Sequence, residues 1–505
     1  MTMADDYVIG VDCSTTAAKA VVWNARGDAL SQDRRTFELS QPRSGWGEQN
    51  AEDWWTATAS AMRRAVQTVD TSRIAALCIT HQRESFVCLD DAGHPLRPAM
   101  LWLDTRATAE VEEHGTPEVH RLTGKPPNPT PAWYKLLWLR NHEPETMSRV
   151  GKVVDVHGFL VHKLTGEWVT SWASADPLGL VDMSTFDYDD SLLSAVGLDR
   201  SQLCELRAPG SVLGQLRDDV AAQLGLPPGL PVVAGAGDGQ CAQLGTGVTS
   251  PGRAYLNLGT GIVSGTYSPH YSHGMEYRTL SAAVPGAYTL ETFMGGGTFN
   301  LGWFIEKFSG VDLRALGLDL TPEHVLETAA AKLPPGSDGL LALPYWAGAL
   351  TPYWDHNARG VLLGLTGMHG KSHVYRALLE GIAFEQRLLT SGAEQALGEP
   401  VTDVIALGGG SRSPVWCQII ADVMQRPVSV VREPESTCLG AGMLGAAAAG
   451  LYPSIAEAAS AMSGIAATYE PDGPTVAAYE LLYAVYRDIY PATRELFARL
   501  AKATP

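Results

Sequence analysis

The stretch YVIGVDCSTTAAKAVVWNARGDAL, residues 7–30, decides how this chain is read. An apolar run ends at Asp12, a turn of small hydroxyl residues follows, a second apolar run returns, and the NARGD turn opens a further strand. The pattern is strand, polar turn, strand, turn, strand. Working outward, YLNLGTGIVSGTY (255–267) repeats the first part of that plan with a Gly/Thr turn. A second pair also matches: RIAALCITHQRES (73–85) and TDVIALGGGSRSP (402–414) each run a buried-type strand into a polar loop. The chain therefore carries an internal repeat, two halves of similar topology. The boundary is expected near residues 245–252, giving one domain over 1–248 and another over 249–505.

Helical patterns lie between these strands. In AEDWWTATASAMRRAVQTV (51–69), Trp54, Ala57, Ala61, Ala65 and Val69 share one face. A longer helix is expected over 373–397, with Ser372 as its N-cap. Strands alternating with helices make this an α/β chain.

Composition agrees. At 505 residues, two domains are the first expectation. Hydrophobic residues at 45% and charged residues at 18% describe a folded globular chain. A net charge of −18 disfavours nucleic-acid and anionic-membrane partners, which need clustered Lys and Arg. The seven cysteines are scattered and never spaced as CxxC, so a disulfide frame or zinc site is not expected, and a reducing cytoplasm is. The segment MTMADDYVIG lacks the features of a signal peptide, and no run approaches the roughly 18 apolar residues of a membrane span.

Several textual motifs fail on context. GAGMLG (440–445) matches GxGxxG but sits inside the small-residue run STCLGAGMLGAAAAGL, which reads as a helix whose Gly and Ala admit a neighbouring backbone. GMHGKS (367–372) is not the length of a phosphate loop, and Lys371 reads as a loop residue. His369 and His373 make a poor metal pair.

Phosphoryl transfer needs donors for phosphate oxygens, a metal to bridge them and a group that orients the nucleophile. Asp12 ends the first strand, where it can hold a hydrated Mg²⁺. Ser14, Thr15 and Thr16 supply hydroxyls and N–H groups after it, and Lys19 adds a positive charge. Gly259, Thr260 and Gly261 form a tighter turn open to an anion. Either turn alone is an ordinary hairpin; as a pair across a cleft they would grip one polyphosphate from both sides. PVVAGAGDGQCAQLG (231–245) leads a strand into a glycine-rich loop with one carboxylate, Asp238. By local chemistry Asp238 is either a helix N-cap or a base within reach of a sugar hydroxyl.

Together these pieces resemble the FGGY carbohydrate kinases, from about residue 7 to about residue 452. GVDCSTTAAKA is similar to that family's first phosphate motif, LNLGTGIVSG to its second, and LGGGSRSPVWCQIIADVMQRPV to its adenosine motif. The resemblance implies two actin-like domains, each on an RNase H-like sheet, with ATP and sugar in the cleft between them. It implies Asp238 as catalytic base, Asp12 as the metal-associated aspartate, and Gly409, Gly410 and Ser413 where the adenine nucleotide is held. Domain closure over the sugar is expected by the same analogy, and so are the dimers or tetramers that family members often form, a homodimer among them.

The sugar pocket is read from three segments. HQRES (81–85) is similar to the glycerol-kinase QRE segment, so Gln82, Arg83 and Glu84 are expected at the substrate, Arg83 donating and Glu84 accepting. LWLDTR (101–106) instead resembles the xylulokinase LWxDxR segment, placing Trp102 on the sugar's carbon face and Asp104 on a hydroxyl. In GDGQ, Gly239 stands where glycerol kinase carries Gln, which removes one polar contact and disfavours glycerol, and Gln240 beside it is expected at the substrate. PTPAWYKLLWLRNH (129–142) resembles a family signature around Lys135, with Ala132 replacing the expected Pro, Ser or Thr. The expectation is ATP-dependent phosphorylation of D-xylulose, with glycerol or another short polyol as the alternative. A non-catalytic sugar-binding regulator is the competing class.

Overall fold

The computed structural model describes residues 6–309 and 320–503. The opening stretch forms β1 (Tyr7–Cys13), β2 (Ala17–Asn24) and β3 (Ala29–Thr36), an antiparallel meander in which Asp12 pairs with Lys19. The next strands of this sheet are β4 (Ile74–His81), β5 (Val212–Gln215) and β6 (Pro231–Val233), and the sheet order is β5-β6-β4-β1-β2-β3. Strands β1, β4 and β6 run parallel, with Asp12 beside Thr80 and Val233 beside Cys78.

The second half builds β7 (Arg253–Leu258), β8 (Ile262–Ser268), β9 (Arg278–Ser281), β10 (Tyr288–Met294), β11 (Asp403–Leu407), β12 (Val428–Val431) and β13 (Ile465–Tyr469). Their order is β9-β10-β8-β7-β11-β12-β13. Here β7 and β8 form the hairpin, and β11 runs parallel to β7 on its other side, as β4 does to β1. The repeat seen in the sequence is thus two copies of one sheet plan.

Helix α1 (Ala51–Ala65) buries Trp54, Ala57, Ala61 and Ala65 against the first sheet and passes into a short 3₁₀ turn at Val66–Thr68. Its N-cap is Asn50, whose side chain accepts from the Glu52 N–H at 3.2 Å. Helix α2 (Asp238–Gly245) leaves the first half. Helix α3 (Lys371–Leu397) begins earlier than expected: the cap position is Gly370, and Ser372 lies inside the first turn. The His373 Nδ1 reaches back from the first turn to accept the Gly370 N–H at 3.0 Å.

Helix α4 (Pro414–Met424) follows β11, and α5 (Ser436–Ala448) is the small-residue run. Although α5 comes from the second half, it packs on Val8, Val21, Trp23, Ala76 and Cys78 of the first sheet. Its glycines explain the composition. A Cβ on Gly440 would stand 2.0 Å from the Cys241 carbonyl oxygen, one on Gly245 1.8 Å from that of Ser436, and one on Gly10 2.1 Å from that of Cys438. Backbones of α2, α5 and β1 therefore touch directly where the halves meet, which only glycine permits.

Helix α6 (Gly473–Ala503) docks on the second half through tyrosine hydroxyls. Tyr479 donates to Glu380 at 2.8 Å, Tyr486 to Glu385 at 2.5 Å and Tyr490 to Asp355 at 2.9 Å. No helix among the described residues is long and apolar enough to cross a membrane.

Candidate active site

In open α/β sheets, ligands bind beyond the carboxyl ends of parallel strands. That rule gathers residues far apart in sequence. Asp12 stands at the end of β1, Gln82–Glu84 follow β4, and Asp238 follows β6, with His81 bridging to Gly237. In the second sheet, Gly259–Gly261 follow β7 and Gly408–Gly410 follow β11.

The helix after β6 starts at Asp238 itself, with Gly237 at the cap position and no side-chain cap. Asp238 is therefore not an N-cap. Its Oδ1 accepts the Gly239 N–H at 2.7 Å and lies 2.7 Å from Arg83 Nε, an ion pair whose N–H does not point along the contact. Among the described residues no donor engages Oδ2, and the side chain is 42% exposed.

Asp238 opens into a cavity of about 130 Å³ lined by Thr15, Arg83, Glu84, Trp102, Thr130, Val263, Arg278 and Phe293. Arg83, Glu84 and Trp102 were expected there, whereas Thr15 was expected at the phosphates. Thr130, Val263, Arg278 and Phe293 were not expected at the site. Trp102 is held by its indole N–H, which donates to Thr15 Oγ1 at 2.9 Å. An apolar cavity of about 390 Å³ adjoins it, sharing Trp102, Thr130, Arg278 and Phe293.

Other expected residues support the site from behind. Asp104 is fully buried: Arg106 grips both its oxygens, and Oδ2 accepts the Gly47 N–H at 2.7 Å. With its lone pairs spent, it does not line the cavity as a sugar contact would. Gln82 is buried and donates to Gln49 Oε1 at 3.1 Å, while Gln49 donates to the Thr15 carbonyl at 2.5 Å, bracing that turn. Gln240 is buried and donates to the Ala173 carbonyl at 2.9 Å, again away from the cavity. Lys135, also buried, donates to the Pro129 and Thr130 carbonyls at 3.2 and 2.6 Å and so holds the loop that carries Thr130.

In the turn expected to meet phosphate, Ser14 Oγ donates back to the Ala17 carbonyl at 2.9 Å, and Thr16 is exposed. Lys19 pairs with Glu435 at 2.5 Å, linking β2 to the start of α5. Asp12 Oδ1 is enclosed without a hydrogen-bond partner. Burial pushes this carboxyl up to about 8, the charges of Asp238 and Glu435 add to that, and Lys19 and Arg34 oppose it. Such an orphaned carboxylate fits a divalent cation. Among the described residues no three metal-ligating side chains converge, so a cation here would be held by one carboxylate together with water and phosphate.

The second turn is cradled from below. Gly297 N–H donates to the Thr260 carbonyl at 3.1 Å and Thr298 N–H to that of Gly259 at 2.9 Å, leaving Thr260 exposed. Gly408 has φ +86°, and a Cβ there would stand 2.5 Å from Asn257 Oδ1. Gly409 is exposed with open space around it, whereas Gly410 packs against Trp416. Ser413 caps α4 by accepting the Trp416 N–H at 3.1 Å and donates to Glu327, so its hydroxyl is committed to the fold.

Two family models cover most of the chain: the N-terminal domain of the FGGY family of carbohydrate kinases over residues 7–245, and its C-terminal domain over 254–449. The chain belongs to that family. It is a carbohydrate kinase of mixed α/β, two-domain, actin-like fold. Gluconokinase of Bacillus subtilis (strain 168) is 28% identical over 505 residues, covering 98% of each chain. Xylulose kinase of Escherichia coli (strain K12) is 30% identical over 501 residues, covering 97% of this chain and 100% of that one. The ligand-bound xylulose kinase structure from Lactobacillus acidophilus superposes with a TM-score of 0.91 at 27% identity, over 98% of this chain and 100% of the other.

Proposed function

We propose that this kinase transfers the γ-phosphoryl group of ATP, with Mg²⁺, to a hydroxyl of a ketopentose, D-xylulose first. The observation that carries the reading is Asp238: a carboxylate with a free Oδ2, open to a cavity whose walls come from both halves. In this reading Asp238 Oδ2 takes the hydroxyl proton while the hydroxyl oxygen forms its bond to the γ-phosphorus, and ADP leaves with the electron pair of the broken P–O bond. Trp102 covers the carbon face of the sugar, and Arg83, Glu84 and Thr130 present polar atoms to its hydroxyls. Thr15 and the Gly259–Gly261 turn approach the phosphates from opposite sides, with Gly409 and Gly410 on the adenosine side. Mg²⁺, when bound, would neutralise phosphate charge, and Asp12 would be the residue that holds it. The division at 248/249 separates the two sheets, and seven buried, unpaired cysteines suit a reducing cytoplasm.

A second reading, D-gluconate, draws on Arg278, a cation on the cavity wall that a carboxylate would meet. A coupled ADP-release assay over D-xylulose, D-gluconate and glycerol separates them. Release above the acceptor-free rate with D-xylulose, dependent on Mg²⁺, is expected; preference for gluconate replaces the acceptor, and no stimulation by any of the three overturns the reading.

A further inference from the structure

Behind Asp238, residues of the cavity wall are joined to a buried carboxylate that no contact with substrate requires. Arg83 is 7% exposed and its Nη1 donates to both oxygens of Glu291, at 3.0 and 2.8 Å. Glu291, on β10, is fully buried. Its cross-strand partner on β9 is Arg278, whose Nε donates to Glu291 Oε1 at 2.6 Å and whose Nη1 donates to Glu84 Oε1 at 2.7 Å. Tyr255 on β7 donates its hydroxyl to Glu291 Oε2 at 3.0 Å. Asp238, Arg83 and Glu84 come from the first half, and Glu291, Arg278 and Tyr255 from the second. The Arg–Glu pair read from the sequence as facing the sugar is thus cross-paired with a reciprocal Glu–Arg pair from the opposite lobe.

Three carboxylates meet two guanidiniums here, so the residual negative charge falls to the carboxylate that is exposed, Asp238. Burial alone would raise Glu291, but Arg278 and Arg83 override it and hold this carboxyl below its usual range. A buried charge with both oxygens spent on arginines and a tyrosine has no capacity left for substrate. Glu84, at φ +57°, is held in a conformation uncommon for a side-chain-bearing residue, and its tie to Arg278 restrains it there.

We propose that Glu291 is a positioning residue for phosphoryl transfer: reaching across the lobe boundary, it holds Arg83 against Asp238 and so sets the base only when the two lobes are together. This rests on Asp238 being the base. Glu291→Gln keeps the shape and removes the charge that fixes Arg83. The expected result is a kcat for the acceptor lowered by roughly 10–100-fold, as for outer-shell groups that orient metal ligands, with KM for ATP within about twofold of wild type.

The test is a double-mutant cycle with Asp238→Asn, in the full chain, with kcat, KM for ATP and thermal midpoint measured for each variant. If Glu291 acts through the base, adding Glu291→Gln to Asp238→Asn lowers the residual rate by less than about twofold. An independent, multiplying loss overturns the proposal, as does a Glu291→Gln enzyme with unaltered kcat, or one whose kcat and ATP binding fall together. Should Glu291→Gln fail to fold, Tyr255→Phe removes one bond to the same carboxylate; a several-fold lower kcat at constant ATP KM supports the proposal and no change sinks it. Full activity in Asp238→Asn alone, by contrast, refutes the base itself.

Discussion

The two halves share a sheet plan and differ in what they place at its working edge. At the ends of β1, β4 and β6 the first half sets charged side chains: Asp12, Arg83, Glu84 and Asp238. At the ends of β7 and β11 the second half sets glycine, at 259, 261 and 408–410, where main-chain N–H groups and space replace side chains. The duplicated topology fixes where a ligand sits; the residue types decide what happens to it. In the proposed reaction, one lobe moves a proton and holds a cation, and the other lets polyphosphate and nucleoside approach its backbone.

That division can be broken most severely at Asp238. Asp238→Asn is expected to lower kcat by ~10²–10⁴-fold with little change in ATP binding, measured by ADP release and nucleotide titration. A variant of near wild-type rate would remove proton transfer from the first half. Next in size, Asp12→Asn should cost ~10–100-fold in activity at fixed Mg²⁺, as expected for a group acting on a hydrated ion, and rising Mg²⁺ should restore part of it. Insensitivity to Mg²⁺ would detach Asp12 from the cation.

The second half predicts the opposite split. Gly408→Ala forces a Cβ into a left-handed conformation against Asn257, a strain of ~1–3 kcal/mol. KM for ATP should rise about tenfold or more while KM for the sugar holds. A change confined to the sugar would reverse the assignment of the lobes.

The smallest effect lies far from the cleft. Glu385 is pushed up to about 7 by burial, which the hydrogen bonds from Tyr486 and Tyr345 only partly oppose. The folded state thus favours its neutral form, so its contribution to stability falls as pH rises from about 4.5, its unfolded value, to about 7, and then levels. Thermal midpoints taken between pH 5 and 8 should fall less steeply in Glu385→Gln than in the wild type, with kcat unaltered. An identical slope would show that this carboxyl does not titrate with unfolding.

Much of the fold was legible because it is local. The turn after Asp12 and its echo after Leu258 are each bounded by apolar runs, and the crowding of glycine in 436–448 announced a close backbone contact. The N-cap of α3 was misread because the helix begins at Lys371, before its apolar periodicity starts, with a glycine rather than a side-chain oxygen at the cap. In the site, residues that end parallel strands could be found from the sequence, because strand ends are visible there. Glu291, Arg278 and Phe293 could not. Their strands are buried on both faces, so no alternation marks an inward charge, and only the pairing of β9 with β10 brings Arg278 to Glu291. Asp104 failed for a different reason: Arg106, two residues on, claims its oxygens.

Helix α5 has a consequence for how the protein is made. The apolar face formed by Val8, Val21 and Cys78 is synthesised early, whereas the helix that covers it leaves the ribosome only after nearly the whole second half. Until then the first half's own residues, among them Val233, Cys241 and Leu244, cover this patch only in part, and what remains is the kind of surface that attracts chaperones or aggregates. A truncation before Ser436 would leave that face of the earliest-made sheet without its helix.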